Sequence, residues 1–215
     1  MIVTIPFKEK ILPYIDELDI TAKNTGVVNI VHNKKGKYIG YNFDGKAWIS
    51  GIFKAFNLNS LDNMNILIIG FGGVAKSIYF ELLSFQNIKI DIANRTIEKV
   101  KNSIDAKCVE AITLFEAENR ITDYDIVIQT TPIGMWPNIQ EIPLNFEKIK
   151  PNAIFSDVIY NPSKTAFLEK AERLGGQIQN GLSMLIEQNH KVINMWFQKE
   201  VNYKEMENLI VKISD

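Results

Sequence analysis

The run NILIIGFGGVAKSI, Asn65–Ile78, decides how this chain is read. Its first half is continuously apolar, with no polar alternation. Strands of that kind are buried on both faces, as in parallel sheets covered by helices. Its second half carries Gly70-x-Gly72-Gly73-x-Ala75, followed by helical spacing from Gly73 to about Leu83. A turn from strand straight into helix needs a residue free of Cβ clashes. The second glycine lets the backbone approach a pyrophosphate, and the later small residue lets the helix lie close on the sheet. The pyrophosphate then meets free N–H groups and the positive end of the helix dipole. A strand before the glycines and a helix after them is the context the pattern requires. The run predicts a dinucleotide site.

The next apolar run, IKIDIANR, indicates which dinucleotide. An NAD site ends this strand in an acidic residue for the ribose 2′-hydroxyl, whereas an NADP site places arginine nearby for the 2′-phosphate. Here the strand ends in Asn94, Arg95 and Thr96, with Lys99 one turn on, and Asp91 comes three residues too early. Arg95 offers a planar fork that suits phosphate oxygens. NADP is the expected cofactor.

Outward from this pair, TIEKVKNSI reads as a short helix, DIVIQTTP and AIFSDVIYNP as strands, and KTAFLEKAERLGG as a helix stopped by glycines. Strands alternating with helices imply right-handed crossovers and a parallel sheet. LSMLIEQNHKVINMWFQ and NYKEMENLIVKI are helical. Toward the N-terminus, MIVTI reads as a strand ended by Pro6, and KEKILPYIDEL has helical spacing at Ile11, Leu12 and Ile15. VVNIVHN and KYIGYN read as strands joined by a Lys-Lys-Gly turn. DGKAWISGIFKAF puts Ala47, Trp48, Gly51, Ile52 and Ala55 on one helical stripe, with Asp44 placed to cap it. The fold class is α/β, in two parts.

Composition narrows the function. The 215 residues are 46% hydrophobic and 23% charged, with a net charge of −1. That balance gives no electrostatic footprint for nucleic acid or an anionic membrane. No apolar stretch is long enough for a membrane helix, and the first ten residues lack the pattern of a signal peptide. A single cysteine, Cys108, excludes an internal disulfide framework and fits a reducing cytosol, hence a cytoplasmic protein. With only His32 and His190 beside it, no metal site is expected. Proton transfer then falls to lysine and carboxylate. Lys8 follows a Pro-fixed turn at the end of an apolar strand, where a side chain can be aimed into a cleft. Asp44 follows a strand and starts a helix. Each also has a plainer reading, Lys8 as a surface charge and Asp44 as a helix cap.

In that order these pieces resemble the shikimate dehydrogenase family. VTIPFKE, GVVNI, GYNFDG, GFGGVAK, ANRT, QTTPIGM, SDVIYNPSKTAFL and NGLSMLIEQ each resemble a block of that family, over essentially the whole chain. The resemblance implies two domains with a cleft between them. One is a Rossmann-like NADP-binding parallel sheet, residues 44–181. The other is a smaller, incomplete α/β substrate domain, residues 1–43 and 182–215. It implies NADPH-dependent, reversible reduction of 3-dehydroshikimate to shikimate in aromatic amino-acid biosynthesis, with Lys8 and Asp44 as the acid–base pair. Thr4, Asn29 and Gln188 would bind the substrate hydroxyls, with Tyr160 close by. Gly70, Phe71, Gly72, Gly73, Val74, Asn94, Arg95, Thr96, Lys99, Val158 and Gly181 would line the cofactor.

The sequence also departs from the family's pattern. The family begins some sixty residues earlier, with a Ser-x-Ser-Pro loop whose serines bind the substrate carboxylate. Met1 would then replace or coincide with a position inside a strand, leaving MIVTI at a raw edge that invites misfolding or association; a homodimer is counted separately among the expected partners. Phe43 and Ile30 stand where the family has threonines, and Phe43 either packs away from the pocket or changes the ligand. Two alternatives follow: an inactive homologue that only binds NADP, or a quinate-type dehydrogenase.

Overall fold

The computed structural model describes residues 1–104 and 107–214, the last two through their backbone. After a 3-10 turn at Leu12–Tyr14 come β1 (Glu17–Leu18), α1 (Ile20–Thr25), β2 (Ile30–Lys34), β3 (Lys37–Tyr41) and α2 (Asp44–Phe56). The middle of the chain forms β4 (Asn65–Ile69), α3 (Gly73–Leu82), β5 (Lys89–Ala93), α4 (Ile97–Lys101), β6 (Val109–Ile112), α5 (Leu114–Asn119) and β7 (Ile126–Gln129). The last part holds β8 (Ile154–Asp157), α6 (Ala166–Arg173), β9 (Gln177–Gln179), α7 (Leu182–Phe197) and α8 (Tyr203–Ser214).

The expected parallel sheet is present. Its six strands run in the order β6-β5-β4-β7-β8-β9, and every pairing is parallel. Alternate residues of β4 enter opposite cores, as the two-residue period of a strand requires. Ile66 and Ile68 join Trp48, Ile52, Ile78 and Leu82 on one face. Leu67 and Ile69 join Phe155 and Phe167 on the other. Edge strands β6 and β9 carry no strand signal in the sequence, because Glu110, Gln177 and Gln179 leave them without an apolar run.

The smaller sheet has the order β1-β3-β2. The hairpin forms where the Lys-Lys-Gly turn predicts it: Lys35 and Gly36 both have positive φ, 54° and 88°, as a tight two-residue hairpin turn demands. Two readings of the N-terminal stretch are corrected. MIVTI makes no strand, only a single bridge from Ile2 to Ile30, because a turn closed by Phe7 N–H on Thr4 O cuts the ladder short. KEKILPYIDEL makes no α-helix: Pro13 lacks the N–H of a regular turn, and one 3-10 turn gives way to β1. Ile11, Leu12 and Ile15 still pack on Val3, Val28 and Val31. Asp44 is not the helix cap either. Phe43 occupies that position, and Asn42 Oδ1 accepts the Asp44 N–H at 3.1 Å.

Helix α2 packs against both α3 and α7. It therefore links the small sheet, which it follows directly, to the core of the large one. No helix among the described residues is long and apolar enough to cross a membrane.

Candidate active site

Lys8 lies on the turn after Pro6 and is held there from three directions. Its carbonyl accepts the Val28 N–H at 2.9 Å. Its neighbour Glu9 pairs with Lys76 of α3 at 2.8 Å. Its ammonium donates to Asp44 Oδ2 at 2.6 Å. The other carboxylate oxygen of Asp44 accepts Asn29 Nδ2–H at 2.7 Å, and Asn29 Oδ1 accepts the Phe43 N–H at 3.1 Å. Asp44 is 1% exposed, whereas Lys8 is 12% exposed and open on one side. A buried carboxylate with both oxygens occupied is a fixed anchor, and the charge-assisted bond to Lys8 is of the stronger kind. Asn29 keeps one amide hydrogen outside these bonds.

The side on which Lys8 opens is the cleft of the dinucleotide loop. Its volume is about 700 Å³, and Lys8, Gly70, Phe71, Gly72, Gly73, Val74, Asn94, Arg95 and Lys99 all line it. The stem of Lys8 lies against the loop: a Cβ added to Gly73 would sit 3.5 Å from Lys8 Cδ. Gly70 has φ +93°, and a Cβ there would press on Thr131 Cγ2 at 2.7 Å. At Gly72 nothing lies within 4 Å of an added Cβ. An open cradle at the first turn of a ten-residue helix fits a pyrophosphate. Asn94 Nδ2–H donates to Thr96 O at 2.9 Å, which shapes the loop that carries exposed Arg95. Asp91 is engaged elsewhere. It accepts the Tyr124 hydroxyl at 2.6 Å, and burial raises that phenol's pKa. It therefore does not serve as the acidic residue of an NAD site.

Not every residue named from the sequence reaches this cleft. Asp44 and Asn29 stand behind Lys8. Thr4, Thr96 and Tyr160 are exposed outside its lining, and Gln188 is half-buried on α7. Val158 and Gly181 adjoin each other, since a Cβ on Gly181 would overlap Val158 O, but neither lines the cleft. Phe43 packs against the Tyr41 ring, with centroids 5.8 Å apart, and stays out of the lining. Ile30 is fully buried. Thr130, Thr131, Pro132 and Ile133 also line the cleft, beyond the residues named from the sequence. Ligands of parallel sheets sit at the carboxyl ends of the strands, and Gly70, Asn94 and Thr130 follow the adjacent strands β4, β5 and β7. That rule, applied to QTTPIGM, could have found them.

Comparison with known proteins gives the family. A profile described as Shikimate / quinate 5-dehydrogenase matches residues 54–134, and one described as Shikimate dehydrogenase substrate binding domain matches residues 1–31. The shikimate dehydrogenase (NADP(+)) of Geobacillus kaustophilus is 39% identical over 213 residues, 98% of this chain and 77% of that one. The chain belongs to the shikimate dehydrogenase family. Solved members have the same fold. A shikimate dehydrogenase crystallised with NADP+ superposes with a TM-score of 0.84 at 34% identity, covering 100% of this chain and 76% of its own. The Listeria monocytogenes shikimate 5-dehydrogenase, in complex with shikimate and NAD, gives 0.82 at 28% identity, covering 97% and 76%.

Proposed function

We propose that this chain is an NADP-dependent shikimate dehydrogenase that reversibly reduces 3-dehydroshikimate to shikimate. One observation carries the reading: Lys8, anchored on Asp44 at 2.6 Å, opens into the same cleft as the glycine loop and Arg95. Bound NADPH supplies the hydride for the ketone carbon. Lys8 delivers the proton to the ketone oxygen and takes it back in the reverse direction, which is general acid–base catalysis. Asp44 holds the lysine in place. The family resemblance assigns the substrate hydroxyls to Asn29, through its remaining amide hydrogen, and to Thr4 and Gln188 beside Tyr160, all of them outside the lining of the nucleotide cleft. Arg95 and Lys99 receive the 2′-phosphate and Gly70–Val74 receive the pyrophosphate; the family resemblance adds Thr96, Val158 and Gly181, which lie outside the cleft lining in this structure. Residues 1–43 with 182–215 form the substrate domain and 44–181 the NADP domain. The single cysteine supports a cytoplasmic location, and exposed Ile2 and Phe7 supply the surface for a homodimer.

The test is nicotinamide absorbance with NADP+ and a panel of shikimate, quinate and other polyol acids. Turnover on shikimate well above quinate is expected. Binding of NADP+ by calorimetry without turnover on any member would mark a binding module and contradict the enzyme reading.

A further inference from the structure

We propose that Gln129 is the positioning residue for the cleft wall beside the glycine loop, and that it sets dinucleotide affinity through that wall. The inference rests on the reading of the cleft as an NADP site.

Gln129 ends β7 and is completely buried. Its Nε2 donates to Thr131 O and to Ile133 O, each at 2.9 Å, and its Oε1 accepts the Thr131 N–H at 2.5 Å. One side chain thus replaces a strand partner after the strand has ended. All three bonds go to the backbone of a segment, Thr130–Ile133, whose four residues line the cleft. The segment is tied to the glycine turn as well. Thr130 Oγ1–H donates to Ile69 O at 2.6 Å, and an added Cβ on Gly70 would meet both Thr131 Cγ2 and Thr130 Oγ1 within 3 Å. A shift of this wall therefore presses on the turn that receives the pyrophosphate. The main chain of Gln129 reaches the next loop too, its carbonyl accepting the Val158 N–H at 3.1 Å.

Replacing this amide with an apolar group of similar size leaves one N–H and two carbonyls without partners. A buried polar group stranded in that way is costly, so the segment moves outward to water. Calorimetric titration of NADP+ into wild type, Gln129→Leu and Gln129→Asn tests the proposal. The Leu variant should bind about tenfold or more weakly, with kcat at saturating NADP+ changed far less. The Asn variant, which keeps the amide but shortens its reach, should fall between. Hydrogen exchange should quicken at Thr131 in the Leu variant while the β4 and β7 amides stay protected. Wild-type affinity in both variants would overturn the proposal while leaving the NADP site intact. Failure of wild type to bind NADP+ would overturn the underlying reading and this one with it. If the Leu variant does not fold, the Asn variant decides: undiminished affinity there overturns the proposal.

Discussion

In β4 four of five residues are buried, whereas in Met1–Phe7 only Val3 is. Yet the second region carries the turn that aims Lys8. The large sheet is held by apolar burial repeated along six strands, so its stability is spread over many contacts. The Lys8 turn is held by a few specific polar contacts to Asp44, Val28 and, through Glu9, Lys76. A fold built by repetition tolerates the loss of one member by degrees, whereas a site built from single contacts fails at each one.

This contrast can be broken by substitution. Asp44→Asn keeps the shape of the anchor and removes its charge, so turnover should fall by about 10²–10⁴-fold, the usual worth of acid–base catalysis. Calorimetry on the same protein should show NADP+ affinity nearly unchanged, and an equal loss of both would mean that the two regions are not separable. Ile68→Ala is the converse. It should lower stability by roughly 2–5 kcal/mol, as buried isoleucine truncations do, with activity per folded molecule preserved. Denaturant unfolding beside specific activity checks it. Arg95→Ala should weaken NADP+ about tenfold and NAD far less, because a charge-assisted contact to phosphate is lost. Parallel losses for both dinucleotides would remove the 2′-phosphate assignment.

A separate effect, on stability against pH, concerns Asp157 at the end of β8. Burial pushes its carboxyl up to about 7, while the Ile159 N–H and the Thr165 hydroxyl pull the other way. The unfolded chain releases this proton near 3.8 and the folded one only near 7. Between those values the folded state binds more protons, so stability declines as pH rises and levels off above about 7. Thermal midpoints across this range should show that decline in wild type and lose it in Asp157→Asn. An identical slope in both would contradict the assignment.

The large sheet was legible because a buried parallel strand is a local pattern: NILII needs no partner to be read. Its edges were not, since β6 and β9 are short, polar and defined only by their neighbours. In the small region the order of blocks pointed to Lys8 and Asp44, but not to how they meet. Asp44 reads as a cap because its position in sequence fits one, and only the fold shows its carboxylate turned to Lys8 and Asn29. MIVTI looked like a strand because its composition is β-rich, yet a strand also requires a partner along its length. Gln129 carried no local signal, because its three bonds depend on a loop that closes back on it.

The most direct test compares wild type with Lys8→Ala in the same two assays, NADP+ binding by calorimetry and shikimate oxidation by nicotinamide absorbance. The predicted result is equal NADP+ affinity within about twofold and turnover reduced by about 10²–10⁴-fold in the variant. Turnover that survives in Lys8→Ala would contradict the assignment of Lys8 as the proton donor.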